Sequence, residues 1–208
     1  MQLILASTSP RRREILALLG LPFAVMAPEF DELSLPERPV ADEVLCFALG
    51  KARSVAEHFP QAIVIGSDTM ILLEAVKIGK PEGREEAKRI LRALSGRTHR
   101  IFTGVVILDG PRGPRLRTVE EVSVTMRNYS GADIDRYLAY SESLDKAGAY
   151  SIQGEGRALI ESVEGDYLAA VGMPLRGIAN YLHSRGVELP VDIDKLYSEK
   201  AFPNWRSF

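Results

Sequence analysis

The sequence predicts a layered α/β or α+β fold with a mixed sheet, on three observations. Leu3-Ile4-Leu5-Ala6 is a short apolar run followed at once by a Ser/Thr turn and a helix start. Ala62-Ile63-Val64-Ile65-Gly66 is a near-continuous apolar run, the pattern of a strand buried on both faces. Helical and strand patterns alternate early and the centre is strand-rich, an order that points to helices packed on a mixed sheet.

Residues 2–6 read as a strand and 10–19 as a helix ending at Gly20. Ser9 suits an N-cap and Pro10 the first helical position, so this helix start is well defined. Phe23 to Ala27 reads as a second strand, and Pro28 to Pro39 as an irregular segment carrying Asp31-Glu32. Residues 40–59 place Val44, Leu45, Ala48, Ala52, Val55, Ala56 and Phe59 on one broad helical stripe. Strands are predicted at 62–66 and Met70 to Leu73, and a helix from Glu82 to Leu94 with Gly96 past its end. Arg100 to Leu108 and Leu116 to Met126 read as long strands, with Gly110-Pro111-Arg112-Gly113-Pro114 as the turn between them. Ala132 to Tyr140 reads as a short helix and Asp145 to Gly156 as a glycine-rich irregular segment. Leu159 to Val163 and Tyr167 to Val171 read as strands about a Gly165 turn, and Pro174 to Ser184 as the last clear helix. Residues 1–189 form one expected domain, with two lobes as its natural variant, and 190–208 an aromatic tail that docks on the body or on a partner.

A chain of 208 residues can bury a full core. A net charge of −2 gives no global basic field for nucleic acid. The single cysteine, Cys46, excludes an intramolecular disulfide framework and, within an apolar helical pattern, reads as a small buried hydrophobe. His58, His99 and His183 lack the spacing of a zinc site. No apolar stretch reaches transmembrane length and no leader pattern is visible, so the expected location is the cytoplasm, with no membrane partner.

Arg11, Arg12 and Arg13 sit in the first turn of a helix, where the macrodipole is already positive. An anion would compensate, and a helix N-terminus is a ready phosphate site; a solvated helix face is the plainer reading. Ser67-Asp68-Thr69 follows a buried strand, whose carboxyl end would place Asp68 at the rim of a cleft. There it could hold Mg²⁺ or take a proton from water, or it is a turn residue bonding its own backbone. Lys51 interrupts the apolar stripe of its helix and needs either solvent or a partner. Lys80, held extended by Pro81, could reach a phosphate or be a plain loop lysine. Glu32 could join Asp68 around a metal, or is solvated. The Gln153 amide could pair with the imide edge of uracil or thymine, or tie down its own loop. No Ser–His or Cys–His pair, P-loop or dinucleotide fingerprint is present, so the inventory suits a polyphosphate with a divalent metal better than acyl or hydride transfer.

Five motifs carry a family resemblance. Ala6-Ser7-Thr8-Ser9-Pro10-Arg11-Arg12, Gly66-Ser67-Asp68-Thr69, Gly79-Lys80-Pro81, Asp145-Lys146-Ala147-Gly148-Ala149-Tyr150-Ser151-Ile152-Gln153-Gly154 and Val171-Gly172-Met173-Pro174-Leu175 resemble, in order, those of the Maf nucleoside triphosphate pyrophosphatases. The resemblance implies an α/β fold with a central mixed twisted sheet flanked by helices and a deep cleft, similar to inosine triphosphate pyrophosphatases. It implies hydrolysis of a nucleoside triphosphate to monophosphate and pyrophosphate with a divalent metal; Mg²⁺ or Mn²⁺ is expected, on Asp68 and Glu32 as the two candidate carboxylates. By position Asp68 matches the family's catalytic proton acceptor, and Ser7, Arg12, Glu32, Lys51 and Lys80 its cleft residues. Arg11, Thr69 and Gln153 match positions tied to substrate choice, in the combination of the dTTP and UTP branch rather than the 7-methyl-GTP branch. The resemblance also implies a homodimer and a link to septum formation and cell-division arrest. The alternative is a non-catalytic nucleotide- or nucleic-acid-binding regulator, against which the weak net charge and intact Asp68, Lys80 and Glu32 both stand. Arg13, the 109–115 loop and the tail lie outside the matching motifs, and Arg13 is expected to point away from the cleft.

Overall fold

The computed structural model describes residues 2–33, 37–110, 113–140, 142–144 and 146–208; Pro111 and Arg112 of the predicted turn, and Asp145 of the fourth motif, lie outside them. The strands are β1 (Leu3–Ala6), β2 (Ala24–Met26), β3 (Ile63–Leu73), β4 (Val76–Ile78), β5 (Thr98–Asp109), β6 (Pro114–Met126) and β7 (Ile160–Glu164). The helices are α1 (Pro10–Ala17), α2 (Val40–Ala56), α3 (Arg84–Leu94), α4 (Gly131–Tyr137), α5 (Tyr167–Val171), α6 (Leu175–Ser184) and α7 (Ile193–Glu199). One mixed sheet runs β2-β1-β3-β5-β6-β7, with β4 paired to β3. β1 is parallel to both β2 and β3, and the remaining pairings are antiparallel. No helix among the described residues is long and apolar enough to cross a membrane.

Both faces of the central strands are buried, which is why their sequences run almost unbroken in apolar residues. Leu3, Leu5, Ile63, Ile65, Val105 and Ile107 point into the larger core layer. Ile4, Ala6, Val64, Val106 and Leu108 point to the other side, against Ala48, Ala52 and Val55 of α2. Gly66 continues that second face: a Cβ there would stand 2.1 Å from the Ala48 carbonyl oxygen. Its missing side chain lets α2 lie directly on β3.

Three expectations are corrected, and one strand is new. The 62–66 and 70–73 runs are one strand, β3, so Ser67-Asp68-Thr69 is not a strand end; Asp68 pairs with Gly104 in mid-ladder. Polar residues at these three positions look like an interruption, yet extended backbone accommodates them while β5 supplies their ladder partners, Val105, Gly104 and Thr103. Tyr167–Val171 is a helix, α5: Asp166 caps it, its Oδ1 accepting from the N–H groups of Leu168 at 2.8 Å and Ala169 at 3.2 Å. All five residues are buried, and an all-apolar run carries no period to tell helix from strand. Cys46 is exposed, because the face of α2 that meets the sheet carries Val40, Glu43, Val44, Phe47, Ala48, Lys51, Ala52 and Val55. Strand β4 has no counterpart in the sequence reading; it returns along β3, and its Lys77 pairs with the buried Glu43.

His99 of β5 is 1 % exposed, with Nε2 2.7 Å from the Tyr150 hydroxyl and no hydrogen-bond partner for Nδ1 among the described residues. Burial lowers its pKa from 6.5 to about 4. Between those values the unfolded chain binds a proton that the folded chain does not, so stability falls as pH falls through this window. The expected loss is about 3 kcal/mol from pH 6.5 to 4. Urea unfolding across that range should show a slope that flattens in His99→Gln; an unchanged slope would refute the assignment.

The tail docks on the body. The Trp205 ring stacks on Tyr167 at 5.4 Å, and the Tyr197 hydroxyl donates to Asp166 Oδ2 at 2.9 Å.

Candidate active site

A cleft of about 470 Å³ opens between the start of α1, the 28–33 segment, α2, β3 and the 146–153 loop. Its wall holds all nine residues singled out from the sequence: Ser7, Arg11, Arg12, Glu32, Lys51, Asp68, Thr69, Lys80 and Gln153. The volume is that of a small-molecule site. Arg13 is exposed and is not part of the wall.

Strand alternation distributes the chemistry. Val64, Gly66 and Asp68 share the face beneath α2, and the close approach at Gly66 brings Lys51 down onto Asp68. Lys51 Nζ donates to Asp68 Oδ1 at 2.6 Å and meets Glu32 Oε1 at 2.6 Å. Lys51 therefore has its partner, and two carboxylates converge on one point. Asp68 Oδ2 makes no hydrogen bond among the described residues. Burial pushes the Asp68 carboxyl above its usual range, against the opposing pull of Lys51 and Arg12. Glu32 is the exposed member, its side chain 47 % accessible.

Ser67 and Thr69 face the other layer. Ser67 Oγ donates to the Gly172 carbonyl at 3.0 Å, and Arg12 Nε donates to the same oxygen at 3.0 Å. Gly172 has φ of 134°, a region that side chains rarely adopt, and its carbonyl ties α1, β3 and the end of α5 together. Arg12 also donates to Thr69 Oγ1 at 3.2 Å. Thr103 Oγ1 donates to the Ala169 carbonyl at 2.8 Å, so its one proton is committed. The 3.0 Å contact between Thr69 and Thr103 is then Thr69 donating. The chain Arg12 to Thr69 to Thr103 to Ala169 has one direction: the Thr69 proton goes to Thr103, and its oxygen is left to accept from Arg12. Burial lowers the Arg12 pKa, and the nearby Asp68 and Glu32 charges oppose this; a guanidinium remains cationic at neutral pH.

Helix α1 opens as its sequence dictates. Ser9 accepts from the Arg12 N–H at 3.5 Å with Pro10 in the first turn, and the buried Ser7 Oγ accepts from the Ser9 N–H at 3.1 Å. This fixes where Arg11 and Arg12 leave the backbone. Lys80 is exposed at the cleft wall. Gln153 Nε2 reaches Glu14 Oε2 of α1 at 3.4 Å.

Sequence reasoning missed Phe30, Lys146 and Tyr150 as wall residues. Lys146 and Tyr150 stand inside the fourth motif, which was a signal; Phe30 lies in irregular chain and gave none. The role of Gly172 was also missed, although its motif was visible.

A site of this kind, basic at one helix start and acidic under a neighbouring helix, suits a polyphosphate. The comparisons agree. Residues 2–185 match the family model described as Maf-like protein. The dTTP/UTP pyrophosphatase of Moorella thermoacetica is 45% identical over 90% of this chain and 97% of its own length. That of Dictyoglomus thermophilum is 42% identical over 90% of this chain and 98% of its own. Among solved structures, the Staphylococcus aureus Ham1 protein aligns with a TM-score of 0.41 at 18% identity, over 72% of this chain and 85% of that one. With the family model covering nearly the whole chain, and relatives this similar over almost their full lengths, the chain belongs to the Maf family.

Proposed function

We propose that this chain is a nucleoside triphosphate pyrophosphatase that hydrolyses dTTP and UTP to the monophosphate and pyrophosphate, clearing nucleotides from the cellular pool. The observation that carries this reading is Asp68, buried at the cleft wall with Lys51 on one oxygen and the other without a protein partner among the described residues. The names of the relatives support the substrate pair.

In this mechanism Arg11, Arg12, Lys51 and Lys80 hold the triphosphate, which the helix start also attracts. Asp68 Oδ2 takes the proton from water as the water oxygen bonds to the α-phosphorus. The bond from that phosphorus to the bridging oxygen breaks, and pyrophosphate leaves with its charge stabilised by the lysines. A carboxyl held above its usual range is a better matched base than an ordinary aspartate. Gln153 reads the imide edge of the pyrimidine, and Thr69 acts through Arg12.

The residues fit a divalent metal. The donors are the Asp68 and Glu32 carboxylates, which share the Lys51 ammonium and keep their other oxygens for a metal. No third acidic, His or Cys ligand joins them among the described residues, and Mg²⁺ or Mn²⁺ is commonly held by one or two carboxylates with substrate phosphate oxygens completing its shell. Asp68 and Glu32 would hold it, and when bound it would neutralise charge on the phosphates. A homodimeric state, a cytoplasmic location and a link to cell-division arrest rest on the resemblance and the sequence alone.

The test is incubation of the purified protein with Mg²⁺ or Mn²⁺ and dTTP, UTP, CTP, ATP, GTP and 7-methyl-GTP, with the released phosphate species identified. Pyrophosphate from dTTP and UTP is expected. Gln153→Ala should lower the preference for these two by about tenfold, the worth of one well-placed hydrogen-bonded edge. Turnover of 7-methyl-GTP alone would overturn the substrate reading, orthophosphate as the primary product would overturn the site of attack, and no turnover would favour a binding protein.

A further inference from the structure

The family match ends at residue 185, and the chain beyond it is bound to the body at several points, one of them the cleft-wall loop that carries Gln153. Pro190 lies against the end of α1, its Cγ 2.7 Å from where a Cβ on Gly20 would stand. Tyr197 bonds Asp166, the cap of α5, and the Tyr167 hydroxyl donates to the Pro203 carbonyl at 2.6 Å. Asn204 then stands over the loop that carries Gln153.

Three N–H groups of that loop bond within the body: Ser151 N donates to the Tyr137 hydroxyl at 3.0 Å, Gly154 N to Ser151 Oγ at 3.3 Å, and Gly156 N to Glu142 Oε1 at 2.9 Å. The carbonyls of Ile152, Gln153 and Gly154 reach the tail, and that of Gly154 also accepts from the Arg157 N–H at 3.2 Å. Asn204 Nδ2 lies 3.1 Å from the oxygen of Ile152, 2.7 Å from that of Gln153 and 3.2 Å from that of Gly154. Three successive carbonyl dipoles converging on one side repel one another unless a donor sits at their focus. A primary amide has two protons for the three oxygens, and the shortest contact goes to Gln153 itself. Asn204 holds φ of 61°, a left-handed conformation that asparagine tolerates better than most residues. Trp205, stacked on Tyr167 and 7 % exposed, anchors the residue that follows.

We propose that Asn204 is a positioning residue for base recognition: the tail fixes the Gln153 backbone so that the side-chain amide meets the base at the cleft wall. This rests on the pyrimidine reading of Gln153 given above. A tail lying outside the family model thus sets the selectivity of the family's own site.

Two variants separate the amide from the backbone it sits on. Asn204→Gly keeps the left-handed conformation without donors, and Asn204→Asp keeps the shape but turns an acceptor toward three acceptors. Amide hydrogen exchange over residues 151–156, and kcat and KM for dTTP, UTP, CTP and ATP, would be measured on the full chain. Both variants should accelerate exchange in this loop, with α2 unchanged, and lower the dTTP-over-ATP preference by about tenfold through KM, the effect of losing hydrogen bonds that orient one group. Unchanged exchange, an unchanged preference, or an equal loss for every substrate would overturn the proposal. If the unmodified protein hydrolyses no triphosphate, the pyrophosphatase reading fails on its own. The exchange comparison then decides whether Asn204 holds the loop, and exchange in both variants no faster than in the unmodified protein would again overturn it.

Discussion

Asp68→Asn is expected to lower kcat/KM for dTTP by about 100- to 10,000-fold, the range lost when a positioned base is removed. The substitution keeps shape and volume, and the fold should persist. Ionised Asp68 is held in a place that raises its pKa, so above that pKa the charge is a cost to the folded state. The sign is that of any raised carboxyl: its favourable contribution is present at low pH and fades as pH rises through the folded pKa. An amide removes that cost, while leaving Lys51 with Glu32 alone. The same raised pKa sets the acid limb of the unmodified enzyme, whose kcat/KM should rise with pH above the ordinary carboxylate range. Near-normal turnover in the folded Asp68→Asn protein, or an acid limb at the pKa of a free aspartate, would remove Asp68 from the chemistry.

Lys51→Met should damage both stability and rate. Methionine fills much of the lysine stem's space, so the packing of α2 on β3 is largely kept, but two carboxylates lose the cation between them. Breaking one side of a buried pair costs about 3 kcal/mol or more, because the remaining charge has no compensation. For a chain of this size that is a melting temperature lower by roughly 6 to 12 °C. Asp68 should also protonate more readily, so the acid limb moves to higher pH. The two substitutions share one interaction and should not add: in an Asp68→Asn background, Lys51→Met should cost much less than it does alone. Equal costs in both backgrounds, by urea unfolding at pH 7, would show that the 2.6 Å contact carries little energy.

The sequence made part of the cleft legible because some of its residues stand beside strong local grammar. Ser9 and Pro10 announced α1 and so fixed Arg11 and Arg12, and Lys51 was conspicuous as a charge inside an apolar stripe. What stayed hidden depended on partners distant in the chain. That Asp68 lies within a continuous strand is decided by β5, more than 30 residues later. That Tyr167–Val171 is helical depends on what surrounds it on every side, and Cys46 is exposed because α2 presents a different face to the sheet. The tail's place was undetermined for the same reason: Trp205 needs Tyr167, and Asn204 needs three carbonyls it cannot see in sequence.

Ser67, Asp68 and Thr69 occupy alternate faces of β3, two hydroxyls toward one layer and the acid toward the other. A ladder shifted by a single residue would turn every one of these side chains over. The carboxylate would then enter the layer holding Arg12 and Gly172, and the hydroxyls would lie under Lys51. Backbone hydrogen bonding could be almost as complete in that misregistered sheet, yet it would have no acid in the cleft. The contact of Gly66 with α2 and the glycine opposite Asp68 therefore act as an index mark: they tell correct assembly from a slipped one at the one position where the difference decides whether the protein can work.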